Sequence, residues 1–457
     1  MPSPDAALAY ARDHRPAILD DLKSFIRIPS VSTLSEHKAD MRRAAEWLAD
    51  QLRSFGFEAV EVLPTVGHPV VTGEWRRAGP AAPTLLFYGH YDVQPVDPID
   101  LWQSDPFEAQ IRGENLYARG ASDMKGQLVA HLKAIESLIR TSGLPVNLKF
   151  LVEGEEEIGS PHLEAFLRQN KERFPCDLCL NGDSGILAPD LPSLTYGLRG
   201  LIYLEIRVKG PSSDLHSGTF GGVVENPALL LCQVIAGMKD REGRITLPGF
   251  YDRVRPISRE ERAELAGLPM TDAWWQQQTG APVLAGEPGF TTTERAMARP
   301  TLDVNGFLSG FTGEGSKTVL PSYAMAKISM RLIPDQTPDQ VRRSVMTFLE
   351  ANMPPSVTWE VIEHASCYPA IIDRNSKAVR AAARALEAVW GRPPLYSRMG
   401  GSVPVVGMIE QVLGVPSLML GYGLPDDNLH APNEKLHLPT FYRGIEATIR
   451  FLTEFGQ

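Results

Sequence analysis

Cysteine is scarce in this chain, with four residues in 457. So few cannot build a disulfide framework at this length, and a reducing, cytoplasmic setting is the expectation. Cationic side chains are outnumbered, 45 Lys and Arg against 55 Asp and Glu, for a formal net charge of −10. That balance argues against a nucleic-acid backbone or an anionic membrane surface as partner. Long apolar runs are missing too. The most apolar stretch, residues 403–424, is broken by Pro404, Glu410, Gln411 and Pro416, and reads as a buried helix followed by a strand. The first residues, MPSPDAALAYARDHRP, carry Asp5 and only a short Ala-rich patch where an export signal needs a basic start and a longer apolar stretch. No solenoid repeat or low-complexity tract is present, so disorder is excluded as the main state.

What is present is a globular composition long enough, at about 150 residues per domain, for two to three domains. In the first third, helix-period runs (Leu19, Leu22, Phe25, Ile26; then Ala45, Leu48, Leu52, Phe55, ended by Gly56) precede short apolar strands at Thr84–Tyr88, Leu148–Val152 and Asp177–Leu180. A helical run at Gln127–Arg140 separates the first strand from the second, which predicts a largely parallel α/β sheet with covered faces. From about Tyr196 the texture changes. Leu201–Lys209 and Ala324–Ile333 alternate like half-buried strands, a helical run covers Asp339–Leu349, and Thr358–Ile362 resembles a further strand. Helices at Lys377–Trp390 and Phe441–Phe451 around a strand at Ser417–Leu420 return to the first texture. The expected architecture is therefore an α/β catalytic domain with a mixed, mostly parallel sheet (residues 1–195 and 373–457), interrupted by an inserted α+β lid or dimerisation domain (residues 196–372).

Acidic and imidazole groups cluster where the strands of the first third end. His90 and Asp92 follow TLLFYG, Asp123 precedes the helix start at Lys125, Glu155, Glu156 and Glu157 follow FLVEG, and Asp183 follows LCLNG. Ligands of open α/β sheets bind beyond the carboxyl ends of the strands, so these clusters converge on one crevice. Several carboxylates brought that close repel one another unless neutralised, and a pair of divalent metals is the usual solution for a mixed His/Asp/Glu set. Zinc suits imidazole with carboxylate, with manganese or cobalt as possible substitutes. On an extended chain His90 and Asp92 share a face, so the carboxylate can hold one ring nitrogen while the other binds metal. Adjacent Glu156 and Glu157 point in different directions, which lets one bind metal and the other serve as a base.

GHYDVQP (Gly89–Pro95), ARGASDMKG (Ala118–Gly126), EGEEEIGS (Glu153–Ser160), NGDS (Asn181–Ser184) and NLHAPNEK (Asn428–Lys435) resemble, in order, the site motifs of the dinuclear-zinc metallopeptidases that include carnosinase-like dipeptidases, glutamate carboxypeptidases and aminoacylases. The resemblance covers nearly the whole chain. It implies two zinc ions per subunit, with His90 and Asp183 on one, Glu157 and His430 on the other, Asp123 bridging both, Glu156 as general acid/base and Asp92 orienting His90. DLHSGTFGG (Asp214–Gly222) resembles the carnosinase-like branch and implies His216 as an oxyanion donor reaching across a homodimer built through the inserted domain. GSKTVLP (Gly315–Pro321), SMRLIP (Ser329–Pro334) and GGSVPV (Gly400–Val405) imply Thr318, Arg331, Gly401 and Ser402 as substrate contacts, with Arg331 clamping a carboxylate. The implied activity is hydrolysis of amide bonds in dipeptides or short peptides by a metal-bridging hydroxide. A carboxypeptidase or an N-acyl-amino-acid deacylase would use the same site. His364, in EHASCYP, is a weak match to the further substrate-contacting histidine that many of the dipeptidases carry.

Other readings are weaker. GDSG at Gly182–Gly185 resembles a serine-protease nucleophile motif but lies in an alternating α/β region. A non-catalytic peptide binder would be expected to lack Glu156 or a ligand, and all are present. Cys176 and Cys179 form a CxxC inside a strand-like run with no second pair, which reads as core. GFTGEGSKT (Gly310–Thr318) departs from the phosphate-loop pattern by the Ser between its last Gly and Lys317. His14, His37, His68, His131, His162 and His437 read as surface or hydrogen-bonded histidines.

Overall fold

The computed structural model describes residues 3–457. The chain separates into two compact units. One comprises the chain up to Tyr196 with Ile372–Tyr396 and Met408–Gln457, the other Gly197–Ile371 with Ser397–Gly407.

The first unit is built on a six-stranded sheet in the order Glu58–Leu63, Val70–Trp75, Asn147–Glu153, Thr84–His90, Leu178–Asn181, Ser417–Met419. The last four run parallel, and the first two pair antiparallel. Asn147–Glu153 is buried at every position, as a parallel strand covered on both faces must be, which is why Leu148–Val152 reads as a short apolar run interrupted only by Lys149. Helix Lys125–Arg140 packs against the sheet, the C-terminal helix Leu438–Phe455 and the N-terminal helices Asp5–Asp13 and Arg15–Ile26. Helix Lys38–Phe55 stops where expected, because Gly56 adopts the left-handed conformation (φ 89°) that closes a helix without a Cβ clash. His131 is a core histidine: its ring accepts from Thr448 Oγ1 (3.1 Å) and donates to the Leu420 carbonyl (2.8 Å), and burial lowers its pKa to about 4. The parallel strands all deliver their carboxyl ends to the same edge, with His90 paired in register with Glu153.

The second unit holds a four-stranded antiparallel sheet in the order Thr301–Ser309, Tyr323–Leu332, Gly200–Lys209, Thr358–Cys367. Alternation is strict on Tyr323–Leu332, and on Gly200–Lys209 it is interrupted by buried Glu205. Ile202, Leu204, Ile206 and Val208, with Ala326, Ile328 and Met330, form a core with Leu231 and Val234 of helix Pro227–Gly237 and Val341, Val345 and Leu349 of helix Pro338–Asn352. Residues 240–300, a punctuated stretch in the sequence, contain helices Arg259–Ala266, Asp272–Thr279 and Thr292–Ala298, each started by a side-chain cap from Ser258, Thr271 or Thr291.

One boundary departs from expectation. Ser397–Gly407, assigned from sequence to the catalytic part, belongs to the second unit. Arg199 Nε donates to the Gly400 carbonyl (2.7 Å), Arg331 Nη1 donates to Ser402 Oγ (2.8 Å), and buried Arg398 pairs with buried Glu261 at 2.5 Å. These bonds draw in a segment that is remote in sequence from the rest of that unit. Among the described residues no helix is long and apolar enough to cross a membrane.

Candidate metal centre

His90 closes its strand fully buried, and Asp92 lies two residues on, equally buried. The His90 Nδ1 edge faces the Asp92 carbonyl (3.1 Å) and Asp92 Oδ1 (3.3 Å). Its hydrogen bond therefore goes to the main chain rather than, as expected from sequence, to the carboxylate. Asp92 Oδ2 accepts instead from the Glu157 N–H (3.1 Å), so the same residue also orients the acidic loop. His90 Nε2 is buried without a hydrogen-bond partner and lies 3.3 Å from Asp123 Oδ1. An orphaned buried ring nitrogen aimed at carboxylates is what a metal ligand looks like before its ion is counted.

Asp123 sits between two histidines: Oδ1 faces His90, and Oδ2 lies 3.0 Å from His430 Nε2. His430 Nε2 is also 3.2 Å from Glu157 Oε2, which accepts from Gln94 Nε2 (2.8 Å). Glu156–Ile158 forms one tight helical turn ended by Gly159 at φ 87°. The turn sends the adjacent glutamates apart. Glu157 groups with His90 and Asp123, and Glu156 with His90 and Asp183, the candidate ligand atoms of each group lying within 4.8 Å of one another. Glu155 turns away to His162 Nδ1 (2.9 Å). The loop carrying His430 has three non-glycine residues in the left-handed region, Asn428 (φ 55°), His430 (φ 60°) and Asn433 (φ 60°), a strained backbone of the kind that recurs at functional sites.

The electrostatics match a cation site. Burial, reinforced by Asp183, Glu157 and Asp123, pushes the Glu156 carboxyl well above its usual range. Burial and Asp123 push Asp183 up to about 7. Hydrogen bonds donated to Asp123 and Glu157 raise His430 to about 10, while burial of Asp123 is outweighed by its two histidines, which hold its carboxyl well below the usual range. Protons are thus standing in for positive charge among groups that a divalent ion would neutralise, and the imidazole and carboxylate donors suit zinc, manganese or cobalt. If His430 and Asp183 bind metal, they must lose their protons to do so, so metal uptake should release protons and its apparent affinity should rise from about pH 6 to about pH 10. Calorimetric titration in buffers of different ionisation enthalpy reads this directly, and no proton release with a flat affinity would contradict it.

In the second unit, Leu215–His216 pairs with Val319–Leu320, and the Ser217 N–H donates to the Thr318 carbonyl (3.0 Å), which brings His216 beside Thr318. His216 is exposed, and its Nδ1 accepts from the Gly218 N–H (3.0 Å), so the neutral ring carries its proton on Nε2 as an outward donor. Arg331, Gly401 and Ser402 form a second group through the Arg331–Ser402 hydrogen bond. His364 Nε2 donates to Glu205 Oε2 (2.9 Å) instead of standing free.

Against known proteins, residues 86–454 match the group described as peptidase family M20/M25/M40. The chain belongs to this peptidase family. It is 32% identical to the Cys-Gly metallodipeptidase DUG1 of Candida albicans, over 97% of this chain and 95% of that protein. Identity to the beta-Ala-His dipeptidase of Rattus norvegicus is 30%, over 98% of this chain and 94% of that one. The M20 family metallo-carboxypeptidase Sso-CP2 from Sulfolobus solfataricus superimposes with a TM-score of 0.83 at 34% identity, covering 96% of this chain and 99% of its own. As an M20 peptidase the chain is a metal-dependent hydrolase, and the mixed α/β architecture with a mostly parallel sheet is that of its structural relatives.

Membership also disposes of the rival motifs. Asp183 of GDSG lies in a candidate metal-binding group with His90 and Glu156. Thr318 leads into a strand, not the helix a phosphate loop requires. Burial raises the Cys176 thiol to about 11 and the Cys179 thiol further, which leaves both unreactive. Sequence reasoning missed Gln94, which holds Glu157, and Arg119, Asp427 and Glu434, which brace the loops of Asp123 and His430. All four lie in or beside the quoted motifs, but none is of a type or spacing that signals its partner.

Proposed function

We propose that this protein hydrolyses the peptide bond of dipeptides or short peptides at a centre of two zinc ions held by His90, Asp123, Glu157, Asp183 and His430. The observation that carries this reading is Asp123, whose two oxygens face His90 and His430 separately, the arrangement of a bridging carboxylate. Bound zinc, or manganese or cobalt in its stead, supplies Lewis acidity that makes water a nucleophile near neutral pH and polarises the scissile carbonyl. Glu156, buried among carboxylates, takes the proton of the attacking water and returns it to the leaving amine. Asp92 fixes the ring of His90 and the main chain of Glu157.

His216 donates its Nε2 proton to the developing oxyanion, and Arg331 clamps the substrate carboxylate beside Thr318, Gly401 and Ser402. The named activities of the two dipeptidases support a dipeptide substrate, and the free-carboxylate clamp agrees with it. A carboxypeptidase acting on longer chains is the second reading, favoured by the name of the Sulfolobus relative. The four free cysteines support a reducing, cytoplasmic setting. A metal-reconstituted assay against dipeptides, tripeptides, N-acyl amino acids and C-terminally amidated peptides tests the proposal. Cleavage of dipeptides with a free carboxylate is expected, and activity that survives exhaustive chelation but is lost on serine-directed labelling would overturn it.

The second unit supports a homodimer. Edge strand Thr301–Ser309 pairs with Tyr323–Leu332 on one side and exposes Val304, Phe307 and Leu308, an apolar edge of the kind a second copy covers by two-fold pairing. If His216 acts across that dimer, mixing His216→Ala subunits with Glu156→Ala subunits should restore part of the activity that neither homodimer has. Verified heterodimers without activity would remove the role in trans.

A further inference from the structure

Two loops that carry metal ligands, residues 118–124 with Asp123 and residues 424–435 with His430, are fastened together by a buried carboxylate that is itself no ligand. Glu434 is fully buried, and both of its oxygens are saturated. Oε1 accepts from the N–H groups of Ser122 (2.9 Å) and Asp123 (3.0 Å); Oε2 accepts from the Gly120 N–H (2.9 Å) and Arg119 Nη1 (2.9 Å). The Glu434 carbonyl in turn accepts from the Ala118 N–H (3.0 Å).

Arg119, 1% exposed, spends its other arm on the Pro95 carbonyl (3.0 Å), in the loop that follows His90 and Asp92. Gly120 sits at φ 80°, where an added Cβ would lie 2.6 Å from Val93, so the turn that presents these N–H groups is packed against the same loop. Asp427 adds a second tie, with Oδ2 accepting from Ser122 Oγ (2.6 Å) and Oδ1 from Lys435 Nζ (3.1 Å).

We propose that Glu434, with Arg119 as its counter-ion, is a positioning residue that sets the separation of Asp123 and His430 and thereby the affinity of the metal held by Asp123, Glu157 and His430. The inference rests on the ligand set proposed above. Its physical basis is that one donor to Glu434 is the main-chain N–H of Asp123 itself, while Glu434 lies four residues from His430 on the strained loop. A shift of this carboxylate moves both ligands relative to each other, whereas His90 and Asp183, at strand ends, keep their places.

Glu434→Gln preserves volume but turns an NH2 towards two N–H donors, and Arg119→Lys keeps the charge but loses the fork. Zinc titration of metal-free protein against a chromophoric chelator should show two equivalents in the wild type. In each variant one equivalent should weaken by about 10–100-fold, the range typical for partners that orient metal ligands. The other, which shares only Asp123 with the shifted loops, should weaken less. At limiting zinc kcat should fall with KM steady, and excess zinc should recover most of it, while the metal-free protein still unfolds in one transition at a lowered midpoint. Wild-type affinity at both equivalents in both variants overturns the proposal. Equal loss of both equivalents with a collapsed metal-free midpoint does so too, since that is general destabilisation. Wild-type protein that binds no zinc overturns the ligand set and this inference together, so the two failures are distinguishable. Should Glu434→Gln not fold, Arg119→Lys decides the matter alone.

Discussion

Glu156→Gln should lower kcat by about 10²–10⁴-fold, the usual contribution of a general acid/base, while bound metal stays at the wild-type level. The substitution keeps the shape of a buried side chain and removes its capacity to accept and return a proton. Burial and the neighbouring carboxylates of Asp183, Glu157 and Asp123 raise the affinity of Glu156 for a proton, which suits a group that must hold one between attack on the carbonyl and departure of the amine. The rival assignment is specific. Glu156 lies within 4.8 Å of candidate ligand atoms of His90 and Asp183, so it could itself be a ligand. Elemental analysis separates the two: metal lost together with activity makes Glu156 a ligand, and metal retained with activity lost makes it the base.

Asp123→Ala should reduce both metal content and hydrolysis to background. Its two oxygens face the two histidines separately, so this one substitution reaches both halves of the centre. A third readout does not depend on catalysis. Metal that binds only the folded protein stabilises it by about 2.7 kcal/mol at a hundredfold excess over Kd, so added zinc should raise the thermal midpoint of the wild type and leave that of Asp123→Ala unmoved. A variant that still gains stability from zinc and still cleaves peptides would show that Asp123 does not bridge.

What could be read from the sequence follows from how each feature is encoded. The parallel strands at Thr84–His90 and Asn147–Glu153 are covered on both faces and so appear as apolar runs. Glu58–Leu63 and Thr301–Ser309 are edge strands with mostly exposed or half-buried positions, and neither an apolar run nor clean alternation marks them; the second is further blurred by a register shift between Val304 and Gly306. The metal-site candidates were legible because His, Asp and Glu at strand ends have few other uses in one crevice. The Glu434 clamp was not, because three of the four donors to its carboxylate are main-chain N–H groups as far as 314 residues away, and a backbone donor has no residue letter. The same holds for Ser397–Gly407, whose place in the second unit depends on the carbonyl of Gly400 and the hydroxyl of Ser402.

The most direct test of a two-metal peptide hydrolase is a stoichiometric one. Metal-free protein is titrated with zinc while hydrolysis of a dipeptide such as Cys-Gly is followed. No hydrolysis before metal is added, then a rise to a plateau at about two equivalents per chain, is the predicted result. Hydrolysis by the metal-free protein, or a plateau at one equivalent, would contradict it.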